Sequence, residues 1–173
     1  KTNPNTFLRQ YASAFDAVEG NTSFYRTPSE ERIHMWKDAV TESFRFCFKF
    51  PQEITHKKKL VNTENELSHF LNSLSHLHEN LGPVFLQLPQ SFGPQDADLL
   101  FSFISQLPDD YHYAVELRNS EFLSSMEYVK RIVDIGLSIV ILDTRPHHQT
   151  QPISDGVTAA FLGTTPIIKI CWT

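Results

Sequence analysis

Ala17-Val18-Glu19-Gly20-Asn21 is the first of five stretches built to one pattern: a short apolar run that ends in polar residues capable of chemistry. The others are Phe46-Cys47-Phe48-Lys49, Val84-Phe85-Leu86-Gln87, Ala114-Val115-Glu116-Leu117-Arg118 and Ile139-Val140-Ile141-Leu142-Asp143. Their first residues stand at 17, 46, 84, 114 and 139, in steps of 29, 38, 30 and 25 residues. That is the rhythm of βα units, in which a helix returns the chain through a right-handed crossover to start the next parallel strand. Parallel strands joined in this way bring their C-terminal ends to one rim, which carries the sites of α/β folds. The pattern predicts an α/β chain of parallel (β/α) repeats with polar side chains gathered at one end.

The segments between the runs read as helices. Phe7, Leu8, Tyr11, Ala12 and Phe15 form a helical stripe ahead of the first strand. Thr27-Pro28-Ser29-Glu30 reads as a helix start, with Thr27 as cap, Pro28 at the first helical position and Glu30 closing a capping box. Ile33, Trp36 and Val40 supply that helix's buried face. A second strand over 44–50 is stopped by Pro51, and a polar, basic loop follows. Thr63-Glu64-Asn65-Glu66 is a second capping box, and Leu67, Phe70, Leu71, Leu74 and Leu77 make the clearest amphipathic helix. Gly82-Pro83 turns into a third strand. A helix carrying Leu99, Leu100, Phe103, Ile104 and Leu107 leads to a fourth strand over 112–117. A helix with Met126, Val129, Ile132 and Val133 closes at Gly136, a good C′ residue, before a fifth strand over 137–142. Beyond Pro146 the periodicity is lost. No element is expected over 149–165, and 167–172 reads as a short strand or an irregular end. The expected organisation is one domain over 1–146 and an irregular tail over 147–173.

Composition narrows the class. With 173 residues the chain can bury a real core, and 40% hydrophobic against 20% charged residues suits a folded, soluble protein. Fourteen Phe against two Trp and two Met predict an aromatic core. A net charge of −5 argues against broad nucleic-acid binding, and Lys57-Lys58-Lys59 after His56 reads as a solvated loop. Two cysteines make no disulfide framework, and Cys47, inside a strand, is expected to be a small buried residue. Low cysteine usage and no recognisable leader fit the cytoplasm. No apolar run approaches the about 20 residues of a membrane span. No nucleotide-cofactor motif is present. The first residue is Lys1 rather than Met, as a natural start lying upstream would give.

Val18-Glu19-Gly20-Asn21-Thr22-Ser23-Phe24-Tyr25 resembles the YecE-like family, known as domain of unknown function 72. Further matches follow in order: Trp36, Phe46-x-Phe48-Lys49-x-Pro51, Ile54-Thr55-His56, Gly82-Pro83 with Gln87-Leu88-Pro89, Val115-Glu116-x-Arg118 and Asp143-Thr144. Each motif is weak alone; their order and spacing are specific, and they cover residues 6–146. The resemblance implies a TIM-barrel-like fold and no settled activity. The family's Gly-Thr-Ser-Gly-Trp-like first strand and its last barrel strands are not recognisable. A full (β/α)₈ barrel takes about 250 residues. The expectation is therefore an incomplete barrel of five strands, shortened, gapped or altered at its ends, and an open one would expose edge strands.

The strand ends supply the candidates. Glu19 and Asn21, two apart, are expected to share a face, as are Glu116 and Arg118. Glu19, Glu116 and Lys49 are the catalytic candidates: carboxylates for general acid/base work, and a lysine for anion binding or, if buried, base chemistry. Asn21, Tyr25, Gln87, Arg118 and Asp143 are the substrate-binding candidates, with Arg118 suited to hold Glu116 or grip an anion bidentately. Phe24 and Tyr25 line a pocket or pack under the next helix, Tyr25 being the more exposed. If Glu19, Glu116 and Asp143 converge, a hard divalent ion such as Mg²⁺ or Mn²⁺ fits them; zinc does not, for want of His or Cys at ligand spacing. His56, His147 and His148 are weaker loop candidates.

Three readings compete. The first is a hydrolase, lyase or isomerase acting on a small anionic or sugar-like substrate. The second is a nucleic-acid-processing or nucleic-acid-binding protein using the His56–Lys59 loop, which the net charge disfavours. The third is an inactive, shortened barrel whose strand-end charges form a purely structural network. Oligomeric state is open.

Overall fold

A computed structural model describes residues 4–141 and 160–161. Helix α1 (Pro4–Ala12) precedes strand β1 (Ala17–Gly20), the one-turn helix α2 (Thr22–Tyr25) and helix α3 (Glu30–Lys37). Strand β2 (Arg45–Lys49) runs into a π-helical turn over Glu53–Lys57, helix α4 (Glu64–Ser75) and strand β3 (Leu81–Gln87). Helix α5 (Ala97–Ile104), strand β4 (Tyr113–Glu116), helices α6 (Ser120–Ser124) and α7 (Met126–Asp134) and strand β5 (Ser138–Ile141) follow. Strand β6 (Ala160–Phe161) completes the described sheet.

The strands lie in chain order, β1 to β6, and the first five are parallel. Sequential order without reversal is barrel-like winding rather than the two-sided winding of an open doubly wound sheet. Strand β6 pairs antiparallel with β5, a pairing absent from the expectation for 149–165. Asp143, His147, His148 and the strand expected over 167–172 lie outside the described residues.

Register divides the sheet into two faces. Glu19 stands beside Cys47, Lys49 beside Phe85, and Gln87 beside Glu116, which itself stands beside Val140. The opposite face carries Phe46, Phe48, Val84, Leu86, Tyr113, Val115 and Ile139. These pack with Ile33, Phe70, Leu74, Leu100, Phe103 and Ile132 from the helices into one core. The composition predicted that aromatic core. Phe48, Phe50, Phe70 and Phe103 are almost fully buried, and burying one such ring contributes up to about 3 kcal/mol. Trp36 stacks on Phe46 and Phe48 at 6.0 and 5.9 Å between ring centroids. The helices thus take one face of the sheet, and the chemically capable residues keep the other.

Several local expectations shift for physical reasons. Gly82-Pro83 lies inside β3 rather than turning into it. The β2–β3 register slips between Phe46 and Phe48, and this irregularity accommodates a proline that has no N–H to give the ladder. The cap of α3 is Ser29, whose Oγ accepts from Arg32 N–H at 3.4 Å, not Thr27. Pro28 is instead buried, with its carbonyl taking the Ser73 hydroxyl at 2.6 Å. Helix α4 begins after Thr63 as expected, without the capping box, because the Glu66 carboxylate is held by Lys58 Nζ at 2.7 Å. Met126 is 73% exposed and contributes no core. Gly136, at φ +85°, closes α7 in a Schellman arrangement, with Gly136 N–H on Val133 O and Leu137 N–H on Ile132 O.

Candidate functional site

The C-terminal ends of β1, β2 and β4 bring three side chains into one chain of charges. Lys49 Nζ lies 3.1 Å from Glu19 Oε1 and 3.8 Å from Glu116 Oε2. Arg118 Nε donates to the other Glu116 oxygen at 2.8 Å. The side chains of Glu19, Lys49 and Glu116 are 7%, 14% and 5% exposed, whereas Arg118 is 44% exposed. The network is therefore dry at its root and open at Arg118. Burial is the main cause that raises the Glu19 pKa; Lys49 opposes it, and the Glu116 charge adds to it. Glu116 has a cation beside each oxygen, so the two carboxylates occupy unlike environments. The Lys49 ammonium stands between them, in the place a divalent ion bridging Glu19 and Glu116 would need. Among the described residues no three His, Cys, Asp or Glu side chains group to hold a metal.

Lys49 is positioned through its backbone. Ser23, fully buried, accepts from Lys49 N–H at 3.1 Å and lies 2.8 Å from Lys49 O and 3.0 Å from Gly20 O as a donor. Helix α2 is thereby fastened across the ends of β1 and β2. Gly20 leaves room for the Phe48 ring: a Cβ there would lie 2.6 Å from it. Asn21 does not continue β1. It has helical backbone angles (φ −62°, ψ −16°) and precedes α2, so strand alternation does not put it on the face of Glu19. Tyr25 is 74% exposed and meets Phe24 edge-on at 5.3 Å. Gln87 is buried beside Glu116 at the end of β3.

His56 joins this rim from the π-helical turn, a weak candidate by sequence that the fold brings forward. Pro51 O accepts from Ile54 N–H and Thr55 N–H, and Ile54 and Thr55 are fully buried, which fixes the turn. The imidazole meets Phe24 edge-on at 5.0 Å, and its Nδ1 lies 2.8 Å from Thr55 Oγ1. The Thr55 hydroxyl is placed to donate to Pro51 O at 3.4 Å. In that arrangement it accepts from Nδ1–H and leaves the Nε2 lone pair for chemistry. Burial lowers the His56 pKa, Arg118 lowers it further, and Glu116 opposes both, which together favour the neutral ring. The signal for His56 was the short Ile54-Thr55-His56 motif; nothing in sequence spacing tied it to Arg118.

Other candidates recede. Burial pushes the Cys47 thiol up to about 12, so it is no thiolate nucleophile. Lys57 and Lys58 each hold a carboxylate at 2.7 Å, Glu53 and Glu66 respectively.

A family model described as protein of unknown function DUF72 matches residues 1–165, further than the 6–146 over which motifs are recognisable by eye. The chain belongs to the DUF72 family. It is 37% identical over 159 residues to the UPF0759 protein YecE of Escherichia coli K12, covering 90% of this chain and 58% of that protein. Among solved DUF72 structures, one from Enterococcus faecalis V583 superposes with TM-score 0.68 at 28% identity, covering 90% of this chain and 66% of the other. One from Thermotoga maritima MSB8 gives TM-score 0.70 at 24% identity over 84% and 58%, a likeness of fold. The DUF72 chain thus spans a little over half the length of the curated relative it matches. Its TIM-barrel-like α/β architecture agrees with these neighbours. No helix among the described residues is long and apolar enough to cross a membrane.

Proposed function

We propose that the rim formed by Glu19, Lys49, His56, Glu116 and Arg118 is an acid/base site for a small anionic or sugar-like substrate, the work of a hydrolase, lyase or isomerase. The observation that carries the reading is the unequal treatment of two carboxylates joined by one lysine. Environments that push paired groups apart separate an acid from a base. Glu19, with its raised pKa, exchanges the proton. Glu116, gripped by Arg118 and Lys49, holds those cations in place. The exposed guanidinium of Arg118 receives the anionic group, and neutral His56 offers Nε2 as a second proton acceptor. A cytoplasmic setting belongs to the proposal, in keeping with low cysteine usage.

The test is a screen of sugar phosphates and small carboxylates for binding and turnover, on wild type, Glu19→Gln and Arg118→Gln. The expected pattern is binding kept and turnover lost in Glu19→Gln, and binding lost in Arg118→Gln. Turnover unaffected by Glu19→Gln, or no ligand binding to wild type, sinks the reading. A second reading has the same ion pairs in its favour: mutual pairing of all four charges is what a structural network needs. It expects these variants to change stability alone.

A further inference from the structure

A cleft of about 580 Å³ lies beside the rim, between the chain that follows β1 and the helices α3 and α4. Arg26, Arg32 and His69 line it, together with Thr22, Thr27, Pro28 and Ser29. Among the described residues no carboxylate lines it. Among the described residues neither Arg26 nor Arg32 forms an ion pair, whereas Lys49, Lys57, Lys58 and Arg118 all do. In a chain of net charge −5, this concavity thus has two arginines in its lining that no carboxylate neutralises. Glu30, the carboxylate next to Ser29 in sequence, is drawn to His76 Nε2 at 2.9 Å.

We infer that this cleft binds the phosphoryl group of a small phosphate monoester. Guanidinium forks match phosphate oxygens in geometry and charge, and hydroxyls supply the remaining donors. The volume falls in the range of about 300–1,000 Å³ common for small-molecule clefts. Recognition rests on side chains, since Ser29 Oγ already caps α3 by accepting from Arg32 N–H. The site is separate from the rim: none of Glu19, Lys49, His56, Glu116 and Arg118 lines the cleft. The inference stands independently of the acid/base reading.

The experiment is a titration of the ¹⁵N-labelled chain with inorganic phosphate, then glycerol 3-phosphate, against sodium chloride at equal ionic strength. Expected are shifts at Thr22, Arg26, Thr27, Arg32 and His69 that chloride does not reproduce. Arg26→Gln/Arg32→Gln should weaken phosphate binding at least about tenfold, and Arg26→Lys/Arg32→Lys by less, because charge without the fork remains. Arg118→Gln should leave the shifts at Arg26, Arg32 and His69 in place, whatever it does to anion binding at the rim. Shifts confined to Arg118 and His56, shifts equalled by chloride, or no saturable binding overturn the inference. The residue-resolved shifts of wild type decide the matter even if a double variant folds poorly.

Discussion

The buried hydroxyl of Ser23 clasps both backbone polar groups of Lys49, accepting from its N–H at 3.1 Å and lying 2.8 Å from its carbonyl oxygen. A side chain here does what another strand would otherwise do at the end of β2. It also sets where the Lys49 ammonium emerges, between Glu19 and Glu116. Ser23→Ala should therefore leave buried backbone groups without partners and cost about 1–3 kcal/mol in chemical denaturation. A loss below a few tenths of a kcal/mol would show that Lys49 is held by other means.

Removing the ammonium is expected to be more costly. Lys49→Met would strand Glu19, 7% exposed, without its cation, and breaking a buried pair from one side typically costs about 3–5 kcal/mol. The loss should be greatest near neutral pH and shrink under acid, where Glu19 takes up a proton. Adding Glu19→Gln should restore part of it. Additive effects of the two substitutions would mean that the pair is not coupled.

Glu19 itself should leave a signature in stability against pH. Its folded pKa lies above the ordinary value of 4.5, with burial the largest cause. The unfolded carboxyl thus ionises first as pH rises. The stability Glu19 contributes is complete below pH 4.5 and is lost as pH climbs through the folded pKa. Wild type should therefore lose ground to Glu19→Gln across that window, in denaturation curves measured from acid to neutral pH. A side-chain carboxyl resonance of Glu19 titrating at or below the ordinary value contradicts this.

His56 offers a test of the rim's electrostatics without any substrate. Its pKa lies below the ordinary 6.5 through burial first and the Arg118 charge second. The sign is opposite to that of Glu19: stability from neutral His56 is present above pH 6.5 and is lost as pH falls through the folded pKa. Arg118→Gln should raise the His56 pKa and Glu116→Gln should lower it, as read from the imidazole proton shifts. No movement in either variant would place His56 outside the charge network.

Much of this was legible in sequence because it is local. Apolar runs alternating with helical stripes determined the strands, their order and the polar residues at their ends. Glu116 and Arg118, two apart, needed no long-range information to be paired, and Gly136 declared its helix terminus by having no Cβ. What required the tertiary structure was every relationship that depends on register and on the direction in which a turn leaves the sheet. Glu19 and Glu116 are far apart in sequence, and only the parallel pairing of four strands brings both to Lys49. Asn21 left the face of Glu19 because the chain turned helical one residue past β1. His56 reached the rim because Ile54 and Thr55 bury themselves beneath it. Hydrophobic periodicity is a property of neighbouring residues and survives in the bare sequence. The meeting of charges across strands is decided by packing, which no single stretch of the chain contains.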